Sequence, residues 1–256
     1  MVEYYSNDFD FSLYALECGE RCLPEITALD SYSSPNAKWD KFYETHGSGD
    51  FFKPRRYIEK EFHQYLSVAG TVLEVGCGYG CTAYPLLSKF DFDYIATEYS
   101  NEALLILQRH SDFDPTRVTV EFWDVSLPRA PTLQPQTKPH AILCIFALSA
   151  VTPNKHIQCL TNMKEQLREK DSVILFRDYA VHDMTMYRHV IRHGESLYRR
   201  NDGTLAYYFD QEYLKTISNA AGLECVEVEY ATVSVRNRKK AKTMNRVFLH
   251  AVLRPS

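Results

Sequence analysis

Residues Thr71–Gly80 read TVLEVGCGYG, and this stretch decides the fold. Val72, Leu73 and Val75 form an apolar run that predicts a buried strand, interrupted by Glu74. Gly76, Gly78 and Gly80 follow as G-x-G-x-G, a turn where backbone bends sharply and approaches a ligand without Cβ atoms in the way. A second apolar run, Tyr94–Thr97, ends at Glu98, where a carboxylate can accept two ribose hydroxyls. A third, Val118–Phe122, runs into Trp123 and Asp124, and the acid there is placed to hold an adenine amino group.

A dinucleotide fold needs G-x-G-x-x-G and a pyrophosphate on a helix N-terminus, but position 81 is Cys81. Glu74 just before the loop suits a cationic ligand better than a diphosphate. These features favour S-adenosylmethionine over a nicotinamide cofactor. The competing readings are an oxidoreductase, a module that binds without catalysis, and a glycine turn that binds nothing.

Outward from the loop, apolar runs alternate with helical patterns. Ala141–Phe146 and Ser172–Phe176 are further strands, and Glu59–Leu66, Thr82–Leu87, Glu102–Arg109 (capped by Asn101) and Lys155–Arg168 are helices. This order predicts an α/β class I fold: a Rossmann-like, doubly wound, mostly parallel sheet of seven strands. Val226–Val235 and Val247–Leu253 form its closing antiparallel hairpin, Met184–Ile191 a helical piece, and Asp202-Gly203 a turn tip. Residues 1–66 read as an N-terminal arm and lid, and 67–256 as the methyltransferase domain. Trp39, Phe42 and Tyr43 fall on one helical face; such a stripe is either packing or a lid over a cofactor.

Composition narrows the setting. The chain has 256 residues, 45% of them hydrophobic, enough for one large domain. No apolar run approaches the ~20 residues that span a bilayer. The seven cysteines include no C-x-x-C, which points to a reducing compartment, the cytoplasm or also the nucleus. No His pair accompanies them, so no metal is expected. The net charge of −4 excludes a generally basic protein, but Lys53–Arg56 and 236–242 are locally basic.

WDKFY (39–43) with FFKPRRY (51–57), LEVGCGYG, IFALSAV (145–151), LFRDY (175–179) and R-x-DGT followed by YYF together resemble the tRNA 3-methylcytidine methyltransferase family. The resemblance runs from about Trp39 to the C-terminus. Pro54, Tyr57, Glu98 and Leu205 depart from the family pattern. The resemblance implies a tRNA N3-cytidine methyltransferase that acts on the anticodon arm, at position 32. The alternative is a methyltransferase for a small molecule or a protein. It further implies an S-adenosylmethionine pocket formed by Trp39, Tyr43, Gly76, Gly78, Glu98, Asp124, Val125 and Ile145.

Asp178 is the candidate to stabilise charge on the methylated ring, and Arg177 to fix the base or a phosphate. An Arg–Asp pair that only ties the strand end to the next element is the competing reading. Lys53, Arg55, Arg56, Arg188, Arg192, Arg199, Arg200, Arg238, Lys239 and Lys240 are the candidate RNA contacts. A partner such as seryl-tRNA synthetase is part of the family picture.

Overall fold

Five parallel strands carry the site: β1 (Thr71–Val75), β2 (Asp93–Glu98), β3 (Val118–Phe122), β4 (Ala141–Ile145) and β5 (Val173–Tyr179). In this computed structural model, which describes residues 7–19, 21–29, 35–47, 51–128, 131, 137–168, 171–237 and 242–256, they join β10 (Lys242–Pro255) and β9 (Leu223–Asn237) in a seven-stranded sheet. The order is β3-β2-β1-β4-β5-β10-β9, with β10 antiparallel to both neighbours. The order reverses between β1 and β4, which opens a crevice at their carboxyl ends.

The period-2 pattern explains why both faces are dry. Leu73, Val75, Ile142, Cys144, Ile174 and Phe176 join one core. Val72, Leu143, Ile145, Val173 and Leu175 join the other. Helices α7 (His156–Gln166) and α8 (Gln211–Ala220) cover the first face, and α3 (Tyr57–Glu61), α4 (His63–Leu66), α5 (Ala83–Leu87) and α6 (Asn101–Gln108) the second. None of the described helices is long and apolar enough to cross a membrane.

The N-terminal segment is built onto the sheet edge. The Asp8 amide donates to the Thr232 carbonyl at 3.1 Å, Phe11 stacks on Tyr230 at 3.7 Å, and Tyr14 and Cys18 of α1 (Phe11–Gly19) enter the core. Helix α2 (Pro35–Thr45) lies against α6.

Four sequence expectations need correction. The helix expected over Glu59–Leu66 breaks at Phe62 into α3 and α4. The cap of α6 is Ser100, whose side chain accepts from the Ala103 amide at 3.3 Å; Asn101 is the first helical residue. Strand β5 runs on through Arg177, Asp178 and Tyr179, because β10 pairs beside it (Leu249 with Asp178, His250 with Arg177). The stretch Met184–Ile191 holds only a 3-10 turn, Met186–Arg188, before a small sheet of β6 (Ile191–Arg192), β7 (Leu197–Arg199) and β8 (Leu205–Tyr207). Only Ile191 of this stretch pairs with the 197–207 hairpin; before it the Met186 and Arg188 amides donate to the Asp183 and Thr185 carbonyls, i to i−3 bonds that make a tight turn.

A buried ion network ties α3 to β5, β9 and β10. Arg177 Nη1 donates to Glu61 Oε1 at 2.6 Å, and His250 Nδ1 to the same oxygen at 2.8 Å. His250 Nε2 faces Glu227 Oε2 at 3.4 Å, and the ring stacks on Phe62 at 4.7 Å. Burial pushes the His250 pKa down, but the hydrogen bonds and charges of Glu227 and Glu61 outweigh it, so the net shift is upward. Folded His250 therefore holds its proton more tightly than the unfolded chain. Its contribution is complete below its ordinary value of 6.5 and is lost as pH rises through the folded value. His250→Gln should cost about 1–3 kcal/mol in acidic buffer. In melting curves across pH it should also flatten the alkaline decline; profiles that parallel the wild type would contradict this assignment.

Candidate active site

The glycine loop is held open by what surrounds it. Gly76 and Gly78 have φ of 67° and 54°. A Cβ on Gly76 would lie 2.9 Å from the Ala147 Cβ, and one on Gly78 would lie 2.8 Å from the Tyr43 hydroxyl. Left-handed backbone and close approach thus both require glycine at these positions. Glu98, at the end of β2, pins the loop from the side. Its Oε2 accepts the Gly78 amide at 3.0 Å, and its Oε1 accepts those of Tyr99 at 2.9 Å and Ser100 at 3.2 Å. Burial raises the Glu98 pKa against the lowering effect of these bonds.

Glu74 does not face the ligand crevice, contrary to the argument that it attracts a cation. It is fully buried beneath the loop and accepts from the Tyr94 hydroxyl at 2.6 Å. Burial raises its pKa.

A cavity of ≈ 250 Å³ opens at the crevice. Trp39 and Tyr43 of α2 roof it, Gly76 and Glu98 form one wall, and Trp123, Asp124 and Val125 form another. The roof is tied down at both ends. Asp40 accepts from the Ser100 hydroxyl at 2.6 Å, and Lys38 Nζ donates to the Gly203 carbonyl at 3.2 Å. Asp124 Oδ1 accepts from the Ser126 amide at 3.0 Å and hydroxyl at 2.7 Å. The buried Trp123 Nε1 has no partner among the described residues.

Of the expected pocket residues, Ile145 and Gly78 do not line the cavity. Ile145 is fully buried in the sheet, and Gly78 lies under Tyr43. The chain instead turns at Phe146, a non-glycine residue with φ of 56°, so Phe146 and Ala147 reach the wall. Tyr99, Val151, Lys155 and Leu205 also line the cavity and were missed. The strand-end rule accounts for Tyr99. Leu205 arrives through the β7–β8 hairpin, which no local pattern places.

Strand alternation separates Arg177 from Asp178, so they cannot act together on one ring. Asp178 is fully buried, not the accessible strand-end acid expected. Its Oδ2 accepts the Ser149 amide at 2.9 Å and its Oδ1 the Tyr179 amide at 2.8 Å. Burial raises its pKa to about 6. Arg177, on the opposite face, is committed to Glu61.

The basic candidates divide similarly. Lys53 and Arg56 are exposed at a second cavity, of ≈ 620 Å³. Arg55 turns inward, bonded to Thr82 Oγ1 at 3.1 Å and the Ile145 carbonyl at 3.4 Å, so it is not a free phosphate ligand. Arg199 and Arg200 are half-buried on the hairpin, and Arg188 is exposed. Arg192 is spent on the carbonyls of Gly194 and Glu195, at 3.0 Å each. Arg238, Lys239 and Lys240 lie outside the described residues. Among the described residues no group of three or more His, Cys, Asp or Glu side chains is placed to hold a metal ion.

The donor set fits S-adenosylmethionine. Two carboxylates end adjacent strands under an aromatic roof. The Gly78 amide, one of the loop N–H groups a diphosphate would use, is already taken by Glu98.

Comparison with known proteins agrees with this geometry. Residues 50–228 match the model of the family described as "Methyltransferase domain". The mouse (Mus musculus) tRNA N(3)-cytidine methyltransferase METTL6 is 34% identical over 225 residues, covering 84% of this chain and 79% of that protein. The Saccharomyces cerevisiae tRNA(Thr) (cytosine(32)-N(3))-methyltransferase is 29% identical over 244 residues, 90% of this chain and 38% of that protein. Among solved structures, a SAM-dependent methyltransferase of Anabaena variabilis superposes with a TM-score of 0.67 at 10% identity, covering 92% of this chain and 100% of the other, and so shares the fold. The chain belongs to the methyltransferase-domain family and, within it, to the tRNA N(3)-cytidine methyltransferases.

Proposed function

We propose that this protein transfers a methyl group from S-adenosylmethionine to N3 of a cytidine in the tRNA anticodon loop, at position 32 as in the yeast relative's name. The observation that carries the reading is the roofed cavity with Glu98 and Asp124 at successive strand ends, in a chain whose relatives bear that activity in their names.

Bound at this site, the cofactor supplies an electrophilic methyl group on a sulfonium. The chain's own residues hold and orient. Glu98 takes the ribose hydroxyls and Asp124 the adenine amino group, while Trp39 and Tyr43 exclude water from above. Neutral cytosine carries a lone pair and no proton at N3, so transfer needs no general base. The enzyme has to draw the base out of its stack and hold N3 in line with the methyl group.

Asp178 is a positioning residue in this scheme. It fixes the Ser149 amide, and with it the turn that presents Ala147 and Ala150 to the cavity. Lys53, Arg56, Arg199, Arg200 and the 238–240 segment supply phosphate contacts. With a net charge of −4, a synthetase partner of the seryl type would add tRNA affinity.

Two measurements test this reading. Nucleoside mass spectrometry of tRNA incubated with the protein and methyl-labelled cofactor should place the label in 3-methylcytidine; label in another nucleoside, or only in protein, would refute it. Asp178→Asn puts an amide NH₂ or leaves one acceptor short against two backbone N–H groups, at a cost of about 1–3 kcal/mol. Melting temperature, cofactor affinity and methylation rate should then fall together. A rate loss with unchanged melting and binding would instead make Asp178 a direct electrostatic partner of the ring.

A further inference from the structure

The cavity of ≈ 620 Å³ is larger than the cofactor cavity of ≈ 250 Å³ and shares no lining residue with it. The glycine loop divides the two. Gly76 faces the cofactor side, whereas Gly80 and its neighbours Tyr79 and Cys81 face the second cavity. The remaining walls are the 52–56 segment, α5 and the turn that follows α6.

These walls are strapped together. The Arg55 amide donates to the Cys81 carbonyl at 2.8 Å, and the Phe52 amide to the Tyr79 hydroxyl, which fixes the 52–56 segment on the glycine loop. The Tyr84 hydroxyl donates to the Leu107 carbonyl and so ties α5 to α6. The loop packs so closely on α5 that a Cβ on Gly80 would collide with the Tyr84 ring.

His110 lies flat on that ring, with centres 3.9 Å apart and planes within 16°. The Asp112 amide donates to His110 Nδ1 at 3.1 Å and fixes the rotation of the imidazole. The His110 side chain is nevertheless 43% exposed. One face of a rigid stacked pair is thus open to the cavity.

The cations here differ from those around the active site. Arg55 is bonded to Thr82, Arg177 to Glu61 and Arg246 to Asp183. Lys53, Arg56 and Lys89 line the second cavity, are exposed, and make no side-chain hydrogen bond or ion pair with any described residue. They face two acids, Glu59 and Asp112, so the cleft has surplus positive charge in a chain of net charge −4. Single exposed cations are ordinary on a surface. Three on one cleft, beside an open aromatic face, form the pattern that recognises an anion joined to a flat ring. An apolar ligand would have no use for the cations, and an inorganic anion none for the ring.

We propose that this cavity is a second binding site, for a nucleoside monophosphate unit. Its base lies on His110 and its phosphate among Lys53, Arg56 and Lys89. The unit is either a free nucleotide or one residue of an RNA strand. The site does not depend on the tRNA reading, because its occupancy requires no methyl transfer.

The test is calorimetric titration of adenosine 5′-monophosphate, with S-adenosylhomocysteine saturating the cofactor cavity so that the adenine cannot enter there. The wild type should show saturable binding. Arg56→Gln combined with Lys89→Gln should weaken it by about tenfold or more, the loss expected for charge-assisted hydrogen bonds. Melting temperature and S-adenosylmethionine affinity should not change, since both side chains are exposed and far from that cofactor's walls. Ribose 5-phosphate, which lacks the base, should bind roughly tenfold more weakly than the nucleotide. Absence of saturable binding to the wild type overturns the proposal, as does equal affinity in the double variant. Equal affinity for ribose 5-phosphate also overturns it and leaves a plain anion patch. Total tRNA separates the two sources: weaker tRNA binding by the double variant assigns the site to an RNA strand. Unchanged tRNA binding assigns it to a free nucleotide.

Discussion

One carboxylate holds the cofactor end of this molecule together. Glu98 accepts three backbone N–H groups, from the glycine loop, from Tyr99 and from Ser100. Ser100 in turn caps α6 and donates to Asp40 of the roof helix. A loop, a strand end, a helix start and a lid are thus fixed relative to one buried side chain. A buried carboxylate is stable only with its oxygens satisfied, so the loop geometry and the Glu98 position require each other. The same acid faces the cavity, which makes the cofactor wall part of the framework and not an addition to it.

The second organising feature is the antiparallel closure of the sheet. Strand β10 beside β5 carries β5 on through Arg177, Asp178 and Tyr179. It also brings His250 to Glu61, so the network that holds α3 against the sheet is anchored on the closing strand.

The strands, the loop and the two strand-end acids were legible because they follow from local rules: apolar runs, glycine spacing, and an acid where a run stops. Trp39 and Tyr43 were legible as a face, and their place over the cavity followed from family likeness. What local rules do not contain was misread. The family likeness implies Ile145 in the pocket, and nothing in the sequence marks Phe146 for the left-handed backbone that brings it to the wall instead. Arg177 and Asp178 are neighbours in sequence at the strand end, which suggests joint action; pairing with a partner some seventy residues on keeps that end extended and puts them on opposite faces. The ion pair of Arg246 with the buried Asp183, 2.8 Å apart, carried no signal, since it joins a turn and a strand far apart in the chain.

The most direct test of the account is calorimetric titration of S-adenosylmethionine into the wild-type protein and Glu98→Gln. Glutamine keeps the shape but replaces one acceptor oxygen with a donor, facing backbone N–H groups and the ribose. Loss of a charge-assisted hydrogen bond costs about 1.5–3 kcal/mol, so affinity should weaken by roughly tenfold or more. An unchanged dissociation constant would contradict the claim that this acid organises the cofactor site.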